Sequence, residues 1–294
     1  MNSGTNLMHG KGYLPDVPRA EDPSYSSASI AKVISRTRFG KMVAGPHTKM
    51  ALPTTIDLRG IFPAVLDQGM LGSCTANAAA GMIDYFELVA NGSYLDPSRL
   101  FIYKVTRDLM GAVGDSGAFL RTTAETLQLF GAPPEYIWPY NGAAAGFNQL
   151  FDQEPSAFCY AYGRNYAAVQ PFRLDPNNLQ TPDLLVNIKA ALAGGLPAMF
   201  GFPTYEEFDY STGDIPYPSA GHQTTGSHAI LAVGYDDDHS IKGLKGALIV
   251  RNSWGPSWGI NGYAYMSYEY VLTGLAVDWW TMVRQDWLDS GKFD

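Results

Sequence analysis

Cys74 sits in the string Asp-Gln-Gly-Met-Leu-Gly-Ser-Cys-Thr-Ala-Asn, residues 67–77, just ahead of a run of alanines. Gly72 and Ser73 read as a turn and a capping hydroxyl, which puts the thiol in the first turn of a helix. Unpaired N–H groups and the helix dipole favour an anion there, so a thiolate forms more readily, the more so with a cationic histidine beside it. A thiolate is the attacking species in acyl transfer. His228 offers the base: in Thr-Thr-Gly-Ser-His-Ala-Ile-Leu-Ala-Val it leads into an apolar run and stands at the start of a strand. Asn252 ends another such run, Ala-Leu-Ile-Val-Arg-Asn-Ser-Trp-Gly. An amide oxygen at that place can accept the imidazole N–H and fix its tautomer, while the indole of Trp254 shields the bond from water. Taken singly, each string has a plainer reading: an inert buried cysteine, a strand-end histidine, an aromatic turn.

Other strings carry weaker chemistry. Cys159, in Ala-Phe-Cys-Tyr-Ala-Tyr-Gly, reads as a small buried hydrophobe. Gly114-Asp115-Ser116-Gly117 reproduces the string around the nucleophile of chymotrypsin-like serine proteases, but only His9 and His47 precede it and the segment runs into a helix. Asp236-Asp237-Asp238-His239 lacks the alternating oxygens and later glutamate of a calcium loop and is expected to be a solvated turn. His222 and Gln223 belong to a long loop before His228 and either border the leaving-group side of a cleft or stand exposed. Two cysteines are too few for a disulfide scaffold or a four-thiolate zinc site, and no cofactor or metal is expected.

The elements that must position these groups follow from local pattern. One helix is expected from Ser73 to Asn91-Gly92, its alanines calling for a second backbone packed close; a second opens at Asp96-Pro97 and runs to about Met110. A third spans Phe119 to Phe130, and a fourth opens at Thr181-Pro182-Asp183 and closes at Gly194-Gly195. The C-terminal third changes texture: Pro-Ala-Met-Phe-Gly-Phe, His-Ala-Ile-Leu-Ala-Val-Gly-Tyr, Gly-Ala-Leu-Ile-Val-Arg and Gly-Tyr-Ala-Tyr-Met-Ser-Tyr read as strands of one sheet. Helices first and strands later describe an α+β chain of two lobes, with a ligand site in the cleft between them.

Residues 1–51 differ from the rest, being first rich in Pro, Ser and charge and then basic and only weakly periodic. They read as an extension that Tyr13-Leu14-Pro15 anchors to the body. Lying in the cleft, an extended Pro-rich strand would block it, so an autoinhibitory role is expected; a structural strap or loose tail is the alternative. At 46% hydrophobic, the 294 residues can bury a large core. A net charge of −8 without a long basic run gives nucleic acid or an anionic membrane no electrostatic hold. No stretch is apolar enough for a membrane span, and the first 25 residues lack the apolar core of a secretory signal, which leaves the compartment open.

Together the strings closely resemble the papain-like cysteine peptidase family, most of all its bacterial members of the xylellain type. In that family a glutamine, five residues and a cysteine open the central helix, a histidine begins a strand of the second lobe, and Asn-Ser-Trp-Gly follows; here these are Gln68, Cys74, His228 and Asn252 to Gly255. Leu-Pro-Thr-Thr-Ile-Asp-Leu-Arg-Gly from Leu52 looks like the start of the family's mature domain, and residues 114–131 look like its glycine-rich substrate segment and following helix. The resemblance implies a helical lobe over about 52–160 with its central helix, and an antiparallel sheet or barrel lobe over about 161–294. It implies a monomeric endopeptidase with Cys74 as nucleophile, His228 as acid and base, Asn252 orienting it and Gln68 in the oxyanion hole. Gly117, Ala118, Ser227 and Trp254 would line the path of a peptide substrate. Transfer of the acyl group to an amine, or a silent peptide-binding role, would use the same cleft. Leu71 and Asp115 stand where secreted members have a disulfide, which suits a reducing compartment or a fold stable without such a bridge; Thr75 replaces a tryptophan and Ala118 a glycine.

Overall fold

A computed structural model describes residues 9–45, 51–140, 149–167 and 169–294. Residues 1–8 and 46–50 of the expected extension, His47 among them, lie outside the described residues. Two short helices open the chain, α1 (Ala28–Ile34) and α2 (Arg38–Val43), followed by the strand β1 (Thr55–Asp57). The main helices are α3 (Cys74–Asn91), α4 (Arg99–Leu109), α5 (Leu120–Phe130), α6 (Ala157–Gly163) and, after β2 (Gln170–Arg173), α7 (Thr181–Ala193). Then come β3 (Ala198–Thr204), α8 (Glu206–Asp209), β4 (Asp214–Ile215), β5 (Gly226–Ile241), β6 (Leu244–Arg251), β7 (Tyr263–Ser267), α9 (Glu269–Leu272), β8 (Val277–Val283) and α10 (Gln285–Asp289).

The sheet runs in the order β2-β8-β3-β5-β6-β7-β4, with β1 also paired to β5, and only the β4–β7 pair is parallel. The alanine-rich helix α3 packs against β5 on one side and α4 and α5 on the other, and so carries Cys74 between the helices and the sheet. Small side chains permit this: a Cβ on Gly81 would already meet Leu231 and Arg251 of the sheet at 3.4 Å. Helix α4 starts later than expected. Asp96 takes a left-handed backbone (φ 51°), Pro97 pairs with Pro134, and Ser98 caps the helix by accepting the N–H of Phe101 at 3.1 Å.

Three other features differ from the expectations. Asp236 to His239 form the outer half of β5 instead of a turn, because the hairpin to β6 reverses only at Lys242-Gly243, both at positive φ (49° and 85°). The strands β2 and β8, which the sequence reading passed over, extend the sheet beyond β3, and Trp279 of β8 stacks on Phe200 with centroids 4.1 Å apart. The segment of weak periodicity in the extension forms α1 and α2, which bury Ile30, Ile34 and Phe39; helices of seven and six residues are too short to display a period.

Candidate active site

Ser73 precedes α3 but does not cap it with its side chain; its hydroxyl lies 2.6 Å from the Tyr140 hydroxyl and accepts from the Asn77 amide at 3.0 Å. The first turn therefore keeps its N–H groups free for the Cys74 sulfur. The N–H groups of Ala229, Gly12, Thr75 and Cys74 itself lie against that sulfur. Complete burial nonetheless outweighs them and pushes the thiol up to about 11, so it is protonated at neutral pH.

His228 stands at the start of the buried part of β5, opposite Phe202 of β3. Its Nε2 lies 2.8 Å from Oδ1 of Asn252, and that same oxygen accepts the N–H of Ser253 at 2.8 Å. Because the Ser253 N–H needs an acceptor, the Asn252 amide is fixed with its oxygen towards both, and Nε2 of His228 must donate. This leaves Nδ1 as the bare lone pair, buried and without a hydrogen-bond partner. Burial drives the imidazole down to about 3, the Asn252 bond opposes this, and the positive charges of Lys11 and His9 add to the lowering. Trp254 roofs the imidazole at 4.9 Å between centroids, and Phe208 of α8 packs against both rings.

Gln68 is wholly buried and locked at both ends. Its Oε1 accepts the Ser253 hydroxyl at 2.5 Å and its N–H donates to Ser253 O at 2.8 Å, so Nε2 is the end that faces the cleft. There it donates to Leu71 O at 2.8 Å and Gly10 O at 3.1 Å. Ser253 and Phe208 therefore hold the catalytic candidates in place, roles the sequence reading did not assign. Adjacency to Asn252 was a signal for Ser253; nothing local signalled Phe208.

An extended strap, residues 9–17, runs through this site. His9 stacks on Trp254 at 5.1 Å, the Trp254 indole N–H donates to Gly10 O at 3.3 Å, and Gly10 N–H donates to Gly69 O at 2.8 Å. Lys11 pairs with Asp209 at 2.9 Å and donates to both oxygens of Thr225. Ala118 N–H donates to Gly12 O at 2.7 Å and Leu14 N–H to Ala118 O at 3.0 Å, a parallel pairing centred on Tyr13. A Cβ on Gly12 would lie 1.8 Å from Gly72 O, so only glycine passes there. The Tyr13 ring fills an apolar slot over Gly201, where a Cβ would lie 2.0 Å from the ring, and its hydroxyl reaches Asp278 at 3.4 Å. Of the residues expected to line the substrate path, Ala118 and Trp254 bond the strap, Gly117 abuts Gly12, and Ser227 pairs with Pro203 in the sheet while its neighbour Thr225 takes Lys11.

Asp115 does what a covalent bridge would do: its carboxylate accepts the N–H of Gly72 at 3.0 and 3.1 Å and the Tyr103 hydroxyl at 2.5 Å, tying the loop before Cys74 to residues 114–117. Cys159 is buried and free. Lys189 pairs with Asp237 at 2.7 Å and Lys245 with Asp238 at 3.6 Å, so two carboxylates of the acidic run of β5 face lysines of the chain, while His239 lies 2.8 Å from Asp214. His222 pairs with Glu207 at 2.6 Å and Gln223 stands exposed.

A family model described as papain family cysteine protease matches residues 52–278. The chain is 37% identical over 223 residues to the peptidase C1-like protein L477 of Acanthamoeba polyphaga mimivirus, covering 73% of this chain and 68% of that one. It is 26% identical to cathepsin J of Mus musculus over 76% of this chain and 63% of that protein's length. Among solved structures it is similar to xylellain, a cysteine protease from Xylella fastidiosa, at 34% identity and a TM-score of 0.74, covering 94% of this chain and 96% of that one. It shares its fold with digestive procathepsin L 3 of Tenebrio molitor larval midgut, at 20% identity and a TM-score of 0.61 over 81% and 72% of the two chains.

Proposed function

Because the chain belongs to the papain family of cysteine proteases, we propose that it is an endopeptidase in which Cys74 forms an acyl-thioester with the substrate and His228 serves as acid and base. The observation that carries this reading is the strap: a length of extended peptide backbone is held across Cys74 by Ala118, Gln68 and Trp254. A substrate peptide would use the same donors and acceptors. Nδ1 of His228 takes the thiol proton, and the ion pair is favoured once water reaches the site. The thiolate adds to the scissile carbonyl, whose oxygen takes the Gln68 amide and the Cys74 N–H in the tetrahedral state. His228 then returns the proton to the leaving amine, and water hydrolyses the thioester by the reverse sequence.

The direction of the strap supports an inhibitory role for residues 9–17. The leaving amine must depart beside His228, so the C-terminal half of a substrate lies under Trp254 and the N-terminal half against Ala118. The strap runs the other way, with His9 on Trp254 and Tyr13 at Ala118. That reversed direction supports a strap that blocks the cleft without being cut. The strap also keeps thiol and imidazole neutral by excluding water from both.

The test is the digestion of an unfolded protein by the chain with its strap displaced. Internal fragments are expected; release of terminal residues only would end the endopeptidase reading. Asn252→Ala is expected to lower kcat on the order of 10² with KM little changed, since the imidazole loses its orientation. Asn252→Asp, which keeps the acceptor, is expected to restore most of the rate and raise the alkaline limb of the pH profile.

Strap docking has a defined acid limit. Burial raises the Asp16 carboxyl, but hydrogen bonds from Arg121 and the Val17 N–H outweigh it and hold Asp16 below its usual 3.8; Asp67 is likewise lowered, first by its bond to His9. A carboxyl lowered by docking favours the docked state above its usual value and gives that up as pH falls through the docked one. Cys74 and His228 carry the same number of protons whether as thiol with imidazole or as the ion pair, so exchange between these forms adds no pH dependence across the neutral range. Hydrogen-exchange protection of the Gly10 and Leu14 amides, corrected for intrinsic rates, is expected to persist at pH 5 and to decline as the pH falls below the usual carboxylate value of 3.8. Loss of protection already at pH 5 would contradict this.

A further inference from the structure

The extension divides into two parts with different ties to the body. Residues 9–17 occupy the cleft, whereas residues 23–43 are built into the sheet lobe. Arg173 of β2 donates its N–H to Pro23 O at 2.8 Å and accepts the Tyr25 N–H at 3.2 Å. Phe39 of α2 is wholly buried, stacks on Phe172 of β2 at 6.1 Å, and fits against Gly194 at the end of α7, where a Cβ would lie 2.8 Å from it. The C-terminal residues close over the same helix: Arg38 N–H donates to Phe293 O at 2.8 Å and Arg36 pairs with Asp289 at 2.5 Å.

Between the two parts the chain makes one projecting turn. Arg19 N–H donates to the Asp22 carboxylate at 2.8 Å and Asp22 N–H to Arg19 O at 3.2 Å, while Arg19, Ala20 and Glu21 are exposed in succession. Both ends of the turn are tied down, Asp16 to Arg121 at 2.8 Å and the Asp22 carboxylate to Arg121 and Arg173. An exposed tip of small and charged residues between two anchored ends is where a peptidase gains entry.

We propose that the Arg19-Ala20-Glu21 turn is the activation site of this protein, and that the active enzyme keeps residues 23–43 as a permanent part of its body. This rests on the reading of residues 9–17 as the inhibitor. Activation is hydrolysis by a peptidase acting in trans: water adds across a peptide bond of the turn, the C–N bond breaks, and a carboxylate and an ammonium group are left. The strap then becomes a separate peptide and loses the high effective concentration that its tether provides. A cut between residues 45 and 52, where the resemblance alone would begin the mature domain, cannot do this. It leaves the strap attached to α1 and α2, which stay docked.

The experiment uses two versions of the full chain, each with a recognition sequence for a site-specific protease, one inserted after Ala20 and the other after Gly45. Before cutting, both must match the parent in alkylation of Cys74 by iodoacetamide. Cutting after Ala20 is expected to release the N-terminal peptide on size exclusion and to raise the alkylation rate by at least about 10²-fold, the scale on which tethering acts. Cutting after Gly45 is expected to leave the two pieces co-eluting and alkylation unchanged. The proposal is overturned if the cut after Gly45 exposes Cys74, or if the cut after Ala20 does not. Alkylation without hydrolysis after the Ala20 cut would uphold the activation site and remove the peptidase reading instead.

Discussion

Cys74→Ala, with the strap released as in the parent, is expected to lower kcat/KM by at least about 10⁴-fold, with peptide affinity and thermal stability close to the parent's. The size of the loss follows from the division of labour in the site. In the proposed mechanism Gln68 and the N–H of residue 74 polarise the scissile carbonyl, and the backbone of Ala118 holds the peptide, whether or not a nucleophile is present, so affinity survives. They cannot replace the covalent step, and the residual rate is what binding and the oxyanion donors supply over water. Stability survives because alanine at the first turn of α3 keeps the helix and removes only one sulfur, packed against Ala229. Purified variant and parent would be compared on the same peptide. Retention of more than a few per cent of the parent's turnover would mean that another group is the nucleophile.

Tyr13→Ala in the uncut chain is expected to raise Cys74 alkylation and peptide turnover by on the order of 10²–10³, because removal of a large buried aromatic side chain costs about 3–5 kcal/mol. That cost falls on the docked strap alone. The slot over Gly201 can fill with water or substrate once the ring is gone, and the sheet around it does not change. Tyr13→Phe separates packing from polarity, since it loses only the contact of the hydroxyl with Asp278. It is expected to open the cleft by about tenfold or less, the worth of one hydrogen bond. Equal effects of the two substitutions would show that the hydroxyl, not the ring, holds the strap.

The positions of the candidate catalytic groups were legible because each lies in a string whose neighbours explain it. Glycine and serine set Cys74 at a helix start, an apolar run sets His228 on a strand, and Asn-Ser-Trp-Gly ends the next strand at Asn252. Gln68 was different: nothing local singles it out, and only the likeness to a family drew attention to it. What stayed hidden depended on contacts between distant segments. Phe208 reaches His228 from α8, and Asp115 ties Gly72 to Tyr103 where a covalent bond is absent. The strap was legible in its Tyr13 anchor but not in the charges of His9 and Lys11, whose effect on His228 exists only when the chain is folded back. Helices α1 and α2 were missed because two turns of helix carry too few residues for a pattern, although Phe39 is as buried as any residue of the sheet.

Pairing of Pro23 and Tyr25 with Arg173 also bears on solubility. β2 is the last strand on its side of the sheet, and these two residues cover the N–H and C=O of Arg173 that would otherwise face outward. A bare strand edge recruits a second edge. A chain shortened to begin at Leu52 would thus carry a sticky margin, and its fate would be self-association before any loss of its central fold. The short stretch from Pro23 to Tyr25 is a guard against aggregation that works whether the cleft is shut or open.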